Sequence, residues 1–222
     1  MMLNTFMKKH PHFRTLLLFC LVIVAFGCRS KKPDKEQIRD ALTGYIYAVS
    51  NNLGAESVKY IDSNTVRYYG QMIPLILKAD SSTVSRLRID QQLLVLVVRQ
   101  TMPLGKIKTL NGASLFEYLV QIGMCEAGKG LDKYYFDIHV EKQNHGYIQL
   151  IDSNNVSGVK FFFNREFGQW KIDIPSITSL ITKSMWRNLI EESGKTEKEF
   201  VQQVVELSTG NPLNDSTWHP PH

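Results

Sequence analysis

Asp137 and His139 stand two residues apart in Tyr134-Tyr135-Phe136-Asp137-Ile138-His139-Val140-Glu141. Apolar and polar residues alternate from Tyr135 onward, which is the pattern of a half-buried strand. Side chains two apart on a strand share a face, so the carboxylate and the imidazole lie side by side. A carboxylate in that place orients the ring and supports it as a general base. Tyr147, Gln149, Lys160 and Phe162 fall on the same face in the strands that follow, forming a candidate ligand or partner face. The plainer reading is a solvated polar face with one incidental ion pair, because the sequence supplies neither a third catalytic group nor an apolar pocket. Metal chemistry has no support. There is no CxxC and no HExxH, and past residue 27 the histidines are His139, His145, His219 and His222 alone. No cofactor motif is present either. Gly128-Lys129-Gly130 lacks the strand-to-helix context and the further glycines of a phosphate loop, and reads as a connector.

The elements that must position these residues divide into helices, then strands, then helices. Asp34 and Gln37 resemble a helix start, and Ile38, Leu42, Tyr45, Ile46 and Val49 follow at helical spacing to Asn52. A second helical stretch begins near Ala55, restarts near Ser63 and reaches Lys78, with Pro74 expected to kink or break it. Leu93 to Val98 is apolar on every side, so periodicity does not separate helix from strand; the surrounding length favours helix. Asn111 or Ser114 opens another helix. Four strands follow at about 135–141, 147–152, 156–165 and 169–174. Their turns are Asn144-His145-Gly146, Ser153-Asn154-Asn155 and Glu166-Phe167-Gly168, which makes an antiparallel meander. Two helices close the domain, about 177–192 and 196–207, the second opened by a Thr196/Glu199 capping box.

Alternation sorts the sheet into two faces. Phe136, Ile138, Val140, Ile148, Leu150, Val159, Phe161, Phe163, Trp170, Ile172 and Ile174 make the core face. Asp137, His139, Glu141, Tyr147, Gln149, Lys160, Phe162, Asn164, Gln169, Lys171 and Asp173 make the other, which an antiparallel sheet can leave to water. It could also line a shallow pocket or a seam with a protein partner or a second copy of the chain.

The leader places the protein. Lys8, Lys9 and Arg14 precede an apolar run from Leu16, which ends at Ala25-Phe26-Gly27-Cys28 before the polar Arg29-Ser30-Lys31-Lys32-Pro33. This is the order of a secretory signal peptide. About 12 apolar residues span roughly 18 Å as helix, short of the roughly 30 Å bilayer core. The junction resembles the lipobox of bacterial lipoproteins, although Ala25 stands where Leu is usual and Phe26 where a small residue is usual. The resemblance implies a lipidated Cys28 and a membrane-anchored place in the bacterial cell envelope. Residues 1–27 would then be the signal peptide, 28–33 a tether, 34–207 a single domain and 208–222 a flexible tail. Removing 27 of 222 residues leaves 195, with all 21 acids and 23 of the 26 basic residues, a charge of about +2. So small a surplus argues against a nucleic-acid partner. Lys31, Lys32 and Lys35 could touch anionic headgroups. With Cys20 in the leader and Cys28 lipidated, Cys125 has no disulfide partner and reads as a buried, inert thiol.

The fold class expected is α+β: a four- to five-stranded curled antiparallel meander packed against helices on both sides of it in sequence. The final hairpin, Phe161-Phe162-Phe163-Asn164-Arg165-Glu166-Phe167-Gly168-Gln169-Trp170-Lys171-Ile172-Asp173, together with the first helix, resembles the nuclear transport factor two-like, cystatin-like cone superfamily. That superfamily includes isomerases, ligand carriers, toxin-immunity proteins and many bacterial lipoproteins, so the resemblance implies a fold rather than an activity. An isomerase-type site would need a carboxylate base inside the cone, and the core face carries no acid. The reading is therefore a non-enzymatic envelope lipoprotein that binds a protein partner or small apolar ligand. The alternatives are a pocket enzyme of isomerase or hydrolase type using Asp137 and His139, or a toxin-immunity protein.

Overall fold

Helix α1 (Asp34–Ser50) forms on one stripe, and Ile38, Leu42, Tyr45 and Val49 are all buried. In this computed structural model the residues described are 32–125, 135–142, 144–152 and 155–221, without the side chains of 152–158 and 178–185. The leader, Cys28, Gly128-Lys129-Gly130 and the turn at Ser153-Asn154 lie outside them. Asp34 to His222 form one compact unit. Short helix α2 (Gly54–Ser57) and a 3-10 turn lead to α3 (Ser63–Lys78), whose N-cap is Asp62. Pro74 neither ends nor interrupts α3. Its neighbours Tyr69, Met72 and Ile76 are buried, and that packing holds the turn that proline would otherwise open.

Helix α4 (Ser81–Val84) precedes α5 (Ile89–Thr101). Residues 92–98 of α5 are buried without a gap, so the ambiguous apolar run is a helix enclosed on every side. Helix α6 (Leu104–Ile107) precedes α7 (Gly112–Gln121). Asn111 opens α7, taking the Ser114 N–H at 2.9 Å while Ser114 Oγ takes the Asn111 N–H at 2.8 Å. Gly112 lets α7 approach α3: a Cβ there would lie 1.9 Å from the Val66 carbonyl oxygen.

The sheet runs β1 (Tyr135–Lys142), β2 (His145–Asp152), β3 (Asn155–Glu166) and β4 (Gln169–Ile172), antiparallel and in that order. Ile61 adds a single parallel bridge to Ile172 on the outer side of β4. Two turns are tighter than their sequence suggests. His145 and Gly146 belong to β2, opposite Lys142 and Val140. Gly146 is there because a Cβ would lie 2.8 Å from the His139 carbonyl oxygen and 2.9 Å from Ile38 Cδ1. Glu166 belongs to β3 and pairs with Gln169, which leaves Phe167-Gly168 as a two-residue turn. Both have positive φ, 50° and 80°, the pattern of a primed hairpin turn whose twist matches that of its strands.

The core face is built as alternation predicts. Ile138, Ile148, Leu150, Phe161, Phe163, Trp170 and Ile172 are buried, and Phe136, Val140 and Val159 pack partly against them. Two positions depart from it. Asp173 is not a sheet-face residue but the buried N-cap of α8 (Ile174–Ser193), and Ile174 starts that helix rather than ending a strand. Helix α9 (Glu197–Thr209) opens with the Thr196/Glu199 box. The stretch expected as a flexible tail is docked instead. Leu213 and Trp218 are buried, Gln100 Nε2 donates to the Asn211 carbonyl at 3.0 Å, and Arg99 Nη1 donates to that of Thr217 at 3.3 Å.

Asp62 joins sheet to helices. Its Oδ1 takes the Thr65 N–H and hydroxyl, each at 2.7 Å, and its Oδ2 takes Asn164 Nδ2 at 2.7 Å. Burial raises its pKa despite those bonds, and the Asp173 carboxylate adds to the rise. A raised folded-state pKa means the native state holds this proton more tightly than the unfolded chain. The burden of the charged form is therefore full at neutral pH and relieved as pH falls through the raised value towards 3.8. Wild type should gain stability relative to Asp62→Asn over that window, in urea melts at stepped pH. The comparison cancels Asp80, Glu199 and Glu206, whose lowered pKa values act in the opposite sense in both proteins.

Candidate functional site

Register assembles the polar face row by row. Asp137 lies opposite Gln149, and Gln149 opposite Lys160; one step along, His139 lies opposite Tyr147, and Tyr147 opposite Phe162. The six candidate residues Asp137, His139, Tyr147, Gln149, Lys160 and Phe162 therefore lie in register on three neighbouring strands. His139 Nε2 is 2.8 Å from Asp137 Oδ2. The His139 ring stacks on Tyr147 with centroids 4.6 Å apart and planes 17° from parallel. Tyr147 meets Phe162 at 6.2 Å and 52°. Lys160 Nζ sits 4.3 Å from the Tyr147 centroid, within cation–π range. His139, Tyr147 and Phe162 thus form a ladder of cross-strand ring contacts, with Lys160 placed diagonally over the middle ring.

The Asp137 contact can hold His139 in a tautomer with hydrogen on Nε2, leaving Nδ1 as the acceptor. That is the geometry of an oriented base. The surroundings differ from those of a base at work: the two side chains are 40% and 53% exposed. Water reaches both groups, whereas acid–base sites gain their strength by excluding it. A surface cleft of about 670 Å³ lies elsewhere, lined by Tyr47, Leu53, Glu56, Tyr60 and Gln121 among others, and none of the described sheet residues lines it. Among the described residues no cluster of three His, Cys, Asp or Glu side chains could hold a metal ion.

Other histidine, aromatic and cysteine side chains are tied into the structure. His145 Nδ1 is 2.7 Å from Asn164 Oδ1, and Asn164 donates its amide to Asp62. Because that amide nitrogen is committed to the carboxylate, His145 must carry its proton on Nδ1. Tyr69 packs on Phe116 with centroids 5.1 Å apart, and Trp186 on Phe200 at 5.9 Å, both as core contacts. Burial pushes the Cys125 thiol up to about 12, so it stays protonated and a poor nucleophile. Lys32 and Lys35 are exposed. Sequence reasoning missed the Asp62, Thr65, Asn164 and Asp173 cluster; the capping pattern Asp62-Ser63-Asn64-Thr65 was the signal that could have found its first half.

The chain matches no protein-family model, no curated protein and no solved structure. Among the described residues no helix is long and apolar enough to cross a membrane.

An ion pair this exposed contributes little to stability. Asp137→Asn should change unfolding free energy by less than about 1 kcal/mol, with the difference shrinking in salt. Chemical denaturation at low and high ionic strength measures it, and a larger, salt-insensitive loss would mean the pair is shielded from water.

Proposed function

We propose that this protein is a bacterial envelope lipoprotein, held to the membrane through Cys28, whose domain binds a protein partner across the polar face of its sheet. The observation that carries the binding half is the ladder His139–Tyr147–Phe162 with Lys160 beside it. Aromatic and amphipathic cationic side chains lie in register and half-exposed, already ordered by their neighbours. Pre-ordered rings lose little conformational freedom on contact, which is why such residues dominate the energetics of protein interfaces. Asp137 and Lys160 at opposite ends of one row add charges of both signs, which set orientation more than affinity. The anchoring half rests on the basic leader, the short apolar run and the junction Ala25-Phe26-Gly27-Cys28.

A small apolar ligand is the second reading. It would sit in the open surface cleft beside Tyr47, Leu53, Glu56 and Tyr60, whose lining mixes apolar with polar side chains.

Two measurements on the full chain separate these claims. Cys28→Ser should release the protein from membranes and abolish fatty-acid labelling; unchanged fractionation rejects the anchor. A photo-crosslinking residue in place of Tyr147 should give one discrete protein adduct in intact cells, lost on Lys160→Glu. Adducts from a crosslinker at Tyr47 but not at Tyr147 would move the site to the cleft.

A further inference from the structure

The turn between β3 and β4 opens with a residue whose conformation and exposure are both unfavourable for its type. Phe167 has φ 50° and is fully exposed, at 101%. The first position of such a turn is ordinarily Asn, Asp or Gly, because bulky side chains are strained at positive φ. A phenyl ring therefore stands at the tip of a hairpin where neither folding nor solvation favours it.

The stem below it is clamped on two sides. Asp34, at the start of α1, takes Arg165 Nη1 at 3.2 Å and Trp170 Nε1 at 3.3 Å. Glu166 takes the Ser63 N–H through both oxygens, at 3.0 and 3.1 Å, and the Ser63 hydroxyl at 2.6 Å. The tip thus projects from a fixed base, and that base is where the chain arrives from the leader. Six peptide steps separate Cys28 from Asp34, a reach of about 20 Å fully extended. In sequence, Arg29, Lys31, Lys32 and Lys35 lie within six residues either side of this entry to the domain, and Asp34 is engaged by Arg165 and Trp170.

The geometry points to the Phe167 hairpin tip as a membrane-contact element, which enters the headgroup region of an anionic bilayer and orients the domain on it. The inference rests on the lipid anchor proposed above. An acyl-bearing Cys28 keeps the clamped hairpin within one short tether of the bilayer. Basic residues on that tether meet anionic headgroups, and the aromatic tip takes the interfacial position that Phe occupies in membrane-surface segments. Anchor and tip together give two points of attachment, so the domain no longer swivels freely and the polar sheet face is presented in a defined direction.

The test uses the full chain, reconstituted in vesicles of phosphatidylethanolamine and phosphatidylglycerol whose acyl chains carry bromine. Phe167→Trp adds an emitter at the tip, read as the difference from the parent protein. The expected result is a blue-shifted difference emission that the brominated chains quench. Phe167→Asn should keep the circular dichroism spectrum of the parent, because Asn-Gly suits the turn, while orientation on the bilayer is lost. An unquenched emission at the water-exposed wavelength overturns the inference. So does a blue shift that follows protein concentration without quenching, which assigns the tip to a second copy of the chain. Fatty-acid labelling of the same preparation reports the anchor separately: labelled but unquenched rejects the tip alone, whereas unlabelled but quenched keeps the tip and rejects the anchor.

Discussion

Two buried carboxylates at the end of β4 hold the sheet against the helices. Asp62 caps α3 and Asp173 caps α8, and the two helix N-termini converge there. The bonding is crossed. Asn64, in the first turn of α3, donates to Asp173 at 3.1 Å, while Thr65 Oγ1 accepts the Ile174 N–H of α8 at 3.0 Å. Asn164 reaches from β3 to Asp62, and Asp62 N–H bonds the Ile172 carbonyl at 3.1 Å. Two like charges in a dry site would repel, but each faces the positive end of a helix and its unpaired amide hydrogens. Moving either helix would strand a buried charge, so the junction sets where α3 and α8 leave the sheet.

The other end of α3 is held by a charge of opposite sign. Arg99 donates to the carbonyls of Leu75, Ile76 and Ala79, at 3.1, 2.8 and 2.6 Å, besides that of Thr217. Burial without a carboxylate partner brings its pKa down to about 10. Carbonyls at a helix C-terminus supply the negative potential that a partner acid would otherwise give. Helix α3 is thus bracketed by an anion at its start and a cation at its end, and the second of these also draws residues 211–218 onto the domain. That segment falls within the stretch expected as a flexible tail; the buried Trp218 and Leu213 show that the local sequence says little about a segment whose partners are about a hundred residues away.

The candidate face was legible in one dimension. Strand alternation placed Asp137 beside His139, and the contact at 2.8 Å follows from two residues of one strand sharing a face. Which residues sit across from them depended on register. Register turned on where the hairpins close, and there His145, Gly146 and Glu166 proved to be strand rather than turn. Gly146 looked like a turn glycine, yet its reason is the close approach of His139 and Ile38. Exposure of the pair was not legible either, because it depends on what other elements leave uncovered.

Local chemistry, read from the chain alone, determined the helix stripes, the Thr196 and Asn111 starts, the four-strand meander and the division of its faces. These follow from periodicity and from the hydrogen-bonding needs of the backbone, which act over a few residues. Tertiary structure decided the rest. It made a helix of Leu93 to Val98 by enclosing it, carried α3 past Pro74, took Asp173 off the sheet to cap a helix, and put Phe167 alone at a projecting tip. Each of those outcomes depends on neighbours distant in sequence, whose burial and charge outweigh the preference of the residue itself.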